Sequence, residues 1–406
     1  MSNSATMSKG RKFGLLISVL TISMFLNIEN TISIFLADMA AAFPEYSNAT
    51  IQQIASSIFL VELFAQLTCG FFARRMSKKT MIIVFQSVTV LGGLLAYIAG
   101  STIVMLYAAS FIIGVGAAII SNVNRTVIPE IYNEKERPWI YSAQQIAMSL
   151  GSILLNLITG WLVVLLGWRA GYLAFCFGFI SIITAALFMK HGEKEVPPAK
   201  KEKTDRSTLS RVFGIGLVHH MIIGLLFVCM FMAFNYNIGF LVQEKQFGNA
   251  AVVGYISSIL MGAKLVSALV MPFTRKILGK WVFAICSAVA ALSFIIMGTA
   301  TNVWILILGV IILGFSQDAF TLIITVKILD DADPTVITTT MAAFNIAVSL
   351  ASYIAPYVVT VPCSWLGGGA VTTFWYAAVV LVLLAIGETI YLVVKKNKNA
   401  KSEAVA

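Results

Sequence analysis

The sequence predicts an all-α integral membrane protein whose twelve transmembrane helices form two pseudo-symmetric six-helix bundles. Three observations carry this expectation. Of 406 residues, 59% are hydrophobic and only 11% charged, with a mean hydropathy of +0.90. Soluble domains carry about 25% charged residues, so this chain lacks the polar surface to cover a water-soluble globule. The charges also cluster, separated by apolar runs of about 20 residues, each long enough to cross about 30 Å of hydrocarbon. Finally, the two halves of the chain repeat each other. AMSLGS at 147–152 matches AVSLAS at 347–352, and ARRMSKK at 73–79 parallels TRKILGK at 274–280. Both pairs keep the same place and orientation, as expected of a parallel repeat.

The apolar runs place helices 1 to 6 at 13–37, 50–72, 80–99, 103–126, 139–165 and 170–189. Helices 7 to 12 follow at 212–242, 249–273, 281–300, 303–327, 336–361 and 369–394. The first run could imitate a secretory signal, but it exceeds a 7–15-residue signal core and contains Asn27, Glu29 and Asn30. It is kept as the first span. The segment 190–211, KHGEKEVPPAKKEKTDRSTLSR, is charged, Pro-containing and without apolar periodicity. It divides the chain into an N-terminal bundle (1–189), a linker (190–211) and a C-terminal bundle with a short tail (212–406).

Basic residues alternate between the two ends of the helices. One side collects Lys9, Arg11 and Lys12, then Arg74, Arg75, Lys78 and Lys79, then Lys135 and Arg137, the linker, Arg275, Lys276 and Lys280, and the tail. The other side has essentially Arg169 and Lys245. The positive-inside rule makes the rich side cytoplasmic, so both termini, and the linker with them, are expected inside a cell membrane. Short loops suit a bacterial inner membrane. The formal charge of +10 does not indicate nucleic acid, because the basic residues form short clusters and no continuous stripe. The five cysteines stand singly, and adjacent His219 and His220 face different directions on a helix. No metal, cofactor or disulfide is expected.

The loop after helix 2 carries a family pattern. GFFARRMSKK resembles the G-x-x-x-D-R-x-G-R-K signature of the major facilitator superfamily, a family of transporters, across the loop between helices 2 and 3. Gly70, Arg75 and Lys79 match, and Lys78 keeps the basic charge; Arg74 replaces the family's Asp and Ser77 its Gly. GWLVVLLGWR at 160–169 is similar to the end of helix 5 in bacterial members. The resemblance spans nearly the whole chain. It implies that Gly70, Arg75, Lys78 and Lys79 serve gating, and that helices 3, 6, 9 and 12 are peripheral while the rest line a central cavity. The Gly-Pro-x-x-Gly-Gly signature of proton-driven antiporters would fall at 155–160, where the chain reads LNLITG.

A charge in hydrocarbon costs about 2.5–3.5 kcal/mol on insertion scales, so it faces a cavity or a partner. Mid-span charges occur on helices 1, 2, 8 and 10: Glu29, Glu62, Lys264 and Asp318. This distribution agrees with the cavity-lining helices of the resembled fold. Asn27, Asn30, Glu62, Asn235, Lys264 and Asp318 are the candidate solute contacts. Glu29, Glu62 and Asp318 are the candidates for proton coupling, since a carboxyl that titrates near neutrality can bias one conformation against another. Their structural alternative is an ion-pair network, for instance Lys264 with Asp318. Arg125 is a candidate gate residue at the end of helix 4, and Glu388 reads as an end-of-helix charge.

The chain shows no P-loop and no nucleophile or metal constellation, which speaks against an enzyme or an ATP-driven pump. The expected activity is secondary active transport of a small organic solute by alternating access. Coupling to protons is expected, with uptake or exchange favoured, in a monomer embedded in lipid. Efflux of drugs or metabolites, and a non-transporting sensor or scaffold on a carrier fold, are the competing readings.

Overall fold

A computed structural model describes residues 9–189, 215–331 and 337–405; the expected linker 190–211 lies outside them. Among the described residues, twelve helices are long and apolar enough to span a membrane. Helices 1 to 6 run Lys12–Ala42, Asn48–Ala73, Lys78–Ala99, Ile103–Pro129, Arg137–Leu166 and Trp168–Phe188. Helices 7 to 12 run Val218–Glu244, Ala250–Val270, Val282–Thr299, Val303–Ile328, Thr340–Trp365 and Ala370–Val394. The expected spans agree to within a few residues.

Side-chain caps fix where several helices begin. Ser47 accepts from the Thr50 amide at 3.2 Å, Ser77 from Thr80 at 3.3 Å and Thr102 from Met105 at 3.4 Å. Each satisfies an amide that the first helical turn would otherwise leave without a partner. Asn302, 200 positions after Thr102, does the same for Trp304 and Ile305 at 3.0 Å each, so the internal repeat extends to capping. At the other end, Gly167 stops helix 5 with φ +86°, where a side chain would be strained.

The chain divides into two compact units, Met1–Glu202 with Gly248–Ser258, and Lys203–Phe247 with Ile259–Ala406. The start of helix 8 thus keeps company with the first unit. Gly160 and Gly254 permit this, since a Cβ at Gly160 would meet the Ala250 carbonyl and one at Gly254 the Asn156 carbonyl. Ser258 adds a hydrogen bond to the Ile153 carbonyl at 3.0 Å, and Trp161 donates to the Tyr255 hydroxyl at 3.1 Å.

In the first unit, helix 4 packs between helices 2 and 3, and helix 1 lies against helices 5 and 6. Leu15, Val19, Ile22, Met81, Phe85, Ile119 and Val123 fill the shared core. In the second unit, helix 9 packs between helices 10 and 12, and helix 7 lies against helices 11 and 12. Lipid is as apolar as leucine, so close packing and interhelical hydrogen bonds hold such helices together. Asn124 to Ser23 (3.0 Å), Tyr236 to the Ser352 carbonyl (3.1 Å) and Ser316 to the Cys286 carbonyl (2.6 Å) are buried ties of this kind.

Three spans depart from regular α-helix. Helix 1 is α-helical to Met24, turns through Phe25–Asn27, and continues as a 3₁₀ helix, Ile28–Phe35, before Leu36–Ala42. Helix 6 opens with a 3₁₀ segment, Trp168–Phe177, whose Tyr172 ring meets Phe35 edge-on at 5.0 Å. Helix 11 widens to a π turn at Pro356–Thr360, because a proline cannot supply the hydrogen bond of a regular turn.

Candidate functional site

The break in helix 1 follows from its sequence. Asn, Ser and Thr side chains compete with the backbone for hydrogen bonds. Thr31 donates to the Ile28 carbonyl and Ser33 to the Asn30 carbonyl, both at 2.7 Å. The Asn30 amide group donates to the Asn27 carbonyl and to Glu29 Oε1, at 3.4 Å each. Gly151 of helix 5 lets the two backbones approach at this point, as a Cβ there would meet the backbone of Met24.

This geometry sets how the segment presents its side chains. A 3₁₀ turn has three residues rather than 3.6, so Asn27 and Asn30 align one turn apart and Glu29 stands about 120° from Asn30. The Glu29 side chain lies within the first unit, 7% exposed, with Oε2 lacking any hydrogen-bond partner. Asn27 and Asn30 beside it are half-buried.

Glu62 of helix 2 lies within electrostatic range of Glu29 and of Arg125 on helix 4. Gly114 sets this spacing, because a Cβ there would meet the Ile58 carbonyl at 2.8 Å and Val61 at 2.9 Å. The first unit therefore holds two neighbouring carboxyls in its membrane-spanning part, and one guanidinium that answers Glu62.

The second unit holds a different cluster. Lys264 Nζ stands over the Phe231 ring at 5.6 Å, a cation–π distance. Asp318 of helix 10 lies in the field of Lys264, with the Ser267 hydroxyl beside it. No direct ion pair closes between Lys264 and Asp318; among the described residues those are Lys12–Glu136 and His219–Glu388. Asp318 Oδ2 accepts no hydrogen bond. Asn235, one turn beyond Phe231 on helix 7, reaches only the Met232 sulfur, at 3.6 Å.

The loop after helix 2 clamps helix ends. Lys78 Nζ donates to the Thr126 carbonyl at 3.1 Å, and Lys79 Nζ to the Ala186 carbonyl at 2.7 Å. Both satisfy carbonyls near helix C-termini, where positive charge is favoured. Arg75 lies 3.9 Å from the Phe71 ring, and Gly70 is exposed with open space around it. Lys245 repeats the device in the second unit, donating to the Gly298 and Ala300 carbonyls at 2.8 Å each, while neighbouring Glu244 accepts from the Ala370 amide at 2.7 Å.

One pairing escapes the sequence reading. Glu388, set down as an end-of-helix charge, is 4% exposed and lies 3.1 Å from His219. The available signal was that Glu388 is the only charge within 370–394.

Comparison with known proteins bears on the family and the fold. The family model described as Major Facilitator Superfamily matches residues 15–356. No curated protein sequence is significantly similar to the chain. Among solved structures, the POT family transporter PepTSo superposes with a TM-score of 0.75 at 13% identity, covering 95% of this chain and 98% of its own. A POT family transporter in complex with 5-aminolevulinic acid gives 0.76 at 14%, covering 93% and 95%. The nucleoside transporter NupG gives 0.74 at 15%, covering 93% and 99%. At these identities the likeness is one of fold.

Proposed function

This chain belongs to the Major Facilitator Superfamily and is a multi-pass membrane transporter, not an enzyme, and we propose that it carries a small organic solute together with protons by alternating access. The observation that supports proton coupling is the neighbouring Glu29 and Glu62, one with a buried oxygen that nothing satisfies. Two like charges held close in low dielectric disfavour full ionisation, so binding one proton changes the energy of the unit that contains them. A group whose charge state differs between two conformations shifts their balance.

The solute contacts we infer are Asn27, Asn30 and Glu62 in the first unit and Asn235, Lys264 and Asp318 in the second. Lys264 and Asp318 leave a gap between opposite charges, which suits a solute carrying a carboxylate, an amine or both. The transporters similar in fold include ones described with a conjugated peptide, as a nucleoside transporter and with 5-aminolevulinic acid, which accords with a polar organic cargo. Gly70, Arg75, Lys78 and Lys79 are assigned to gating, with both termini on the cytoplasmic side, as the charge distribution favours. Uptake or exchange is the preferred direction, since LNLITG at 155–160 departs from the antiporter signature.

The test uses purified protein in liposomes loaded with a pH-sensitive dye. Carboxylates, amino acids, peptides, nucleosides, sugars and cationic drugs are added under an imposed pH gradient. A solute-triggered proton flux that Glu29→Gln abolishes is the expected result. Solute movement without protons would leave a uniporter or exchanger and overturn the coupling.

A further inference from the structure

Helix 12 is largely exposed along its length, yet Glu388 turns inward. Its carboxylate lies 3.1 Å from His219 Nε2 of helix 7. The His219 ring stacks on Tyr391, one turn beyond Glu388, with centroids 4.0 Å apart and planes 29° from parallel. A buried carboxylate in a membrane helix requires a partner. An amide or hydroxyl would tie the two helices at any pH. A histidine does so in a way that depends on a proton, because imidazole is the side chain that ordinarily titrates near neutrality.

We propose that His219 and Glu388 form a second proton-binding site, a latch between helices 7 and 12 whose hold depends on whether they carry opposite charges. An imidazolium facing a carboxylate attracts it. Removing the charge from either partner leaves a weaker contact between two helices of the same unit. Among the described residues, the titratable groups at the latch include His219 and His220 from helix 7, and Glu388 and Tyr391 from helix 12. Helix 9 contributes the uncharged Phe283 ring, 5.7 Å from His220, and helix 10 carries Lys327 near its end.

A row of rings runs from beside the latch to helix 10, beginning where His220, next to His219, faces Phe283 at 5.7 Å. Phe283 meets Phe320 edge-on at 5.4 Å, and Phe320 stacks on Phe227 at 3.7 Å and 5°. Phe320 lies two residues beyond Asp318 on helix 10. The latch thus neighbours, through these rings, the helix that presents Asp318. This inference does not rest on proton coupling at Glu29, and the two are separable.

The experiment needs no known solute. The chain has three histidines, His191, His219 and His220, so two single substitutions assign the ¹⁵N-histidine resonances of the full-length protein in nanodiscs. Spin labels at exposed Ile222 and Val394, in a cysteine-free background, report the spacing of helices 7 and 12 as pH is varied. The expected result is a change in spacing over the same pH interval in which the His219 resonance changes. In Glu388→Gln that spacing stops following pH, whereas in Glu29→Gln it continues to do so. A spacing indifferent to pH in the wild type overturns the latch, as does a pH response unchanged by Glu388→Gln or lost in Glu29→Gln. If Glu388→Gln does not fold, His219→Asn replaces it under the same criteria. A response appearing only with added Zn²⁺ would make this a metal site and also overturn the proposal.

Discussion

The two units solve the problem of charge within a membrane differently. The first collects acid: Glu29 and Glu62 are neighbours, Arg125 answers only Glu62, and one Glu29 oxygen has no partner. The second balances charge: Lys264 and Asp318 attract each other across a gap, beside the Phe231 ring. An excess of carboxyl groups makes a cluster responsive to protons, whereas opposite charges held apart make one responsive to a polar solute. The contrast suggests a division of labour, and substitutions in each unit can break it.

The largest effect is expected at Glu29. Glu29→Gln keeps the shape and removes the titratable group, so proton flux driven by the transported solute should fall by about tenfold or more, equivalent to roughly 1.4 kcal/mol or more on the barrier. Labelled solute should still exchange across the membrane without a gradient. Loss of exchange as well would place Glu29 among the solute contacts and erase the contrast.

Lys264→Gln should act the other way. It removes binding that is made in the ground state, so KM for a carboxylate-bearing solute should rise by about tenfold with the maximal rate nearly kept. The ratio of protons to solute should stay constant. A changed ratio, measured by dye and radiolabel together, would show that the second unit shares in proton coupling.

A smaller effect tests what holds Glu29 in place. Gly151→Leu puts a side chain where helix 5 meets the backbone of Met24, just before the break in helix 1. Overpacking of this kind costs about 1–3 kcal/mol, seen as a lower Tm in detergent. Proton response should weaken while Lys264-dependent affinity is retained. Lys79→Met removes a cation from the end of helix 6 and should cost about 0.3–1 kcal/mol. Lys245→Met is the corresponding change in the second unit.

The twelve spans, the repeat and the mid-span charges were legible because hydrocarbon imposes a long apolar period and makes every intruding charge conspicuous. Glu29, Glu62, Lys264 and Asp318 stand out for that reason alone. The 3₁₀ segment that carries Glu29 was not legible, since it goes with local Asn30, Thr31 and Ser33 hydrogen bonds that shift the helical period by a fraction of a residue. Nor was the His219–Glu388 contact, whose partners lie 169 positions apart in the sequence. A charge near a helix end looks the same in sequence whether it faces lipid headgroups or a histidine on another helix.

The smallest effect concerns the end of the first unit, away from both charged clusters. Lys12 and Glu136 form an ion pair at 3.0 Å, and Glu136 also accepts from the Asn133 amide at 3.1 Å. The Lys12 hydrogen bond first, and then the Asn133 amide, hold the Glu136 carboxyl below its usual range. Burial, and then the charge of Glu136, push the nearby Tyr132 hydroxyl up to about 12. Because the folded state lowers the Glu136 pKa, the pair stabilises the fold above the ordinary carboxylate value of about 4.3. That contribution is lost as pH falls from there through the lower folded value. Glu136→Gln should therefore lower Tm slightly at pH 7, and the difference from wild type should vanish in acid below that window. Both partners are partly exposed, so added salt should shrink the difference at neutral pH. Its disappearance in acid should leave the His219–Glu388 spacing and the Glu29-dependent flux governed by their own groups. A Glu136→Gln difference that persisted in acid would mean that the side chain acts through packing rather than charge.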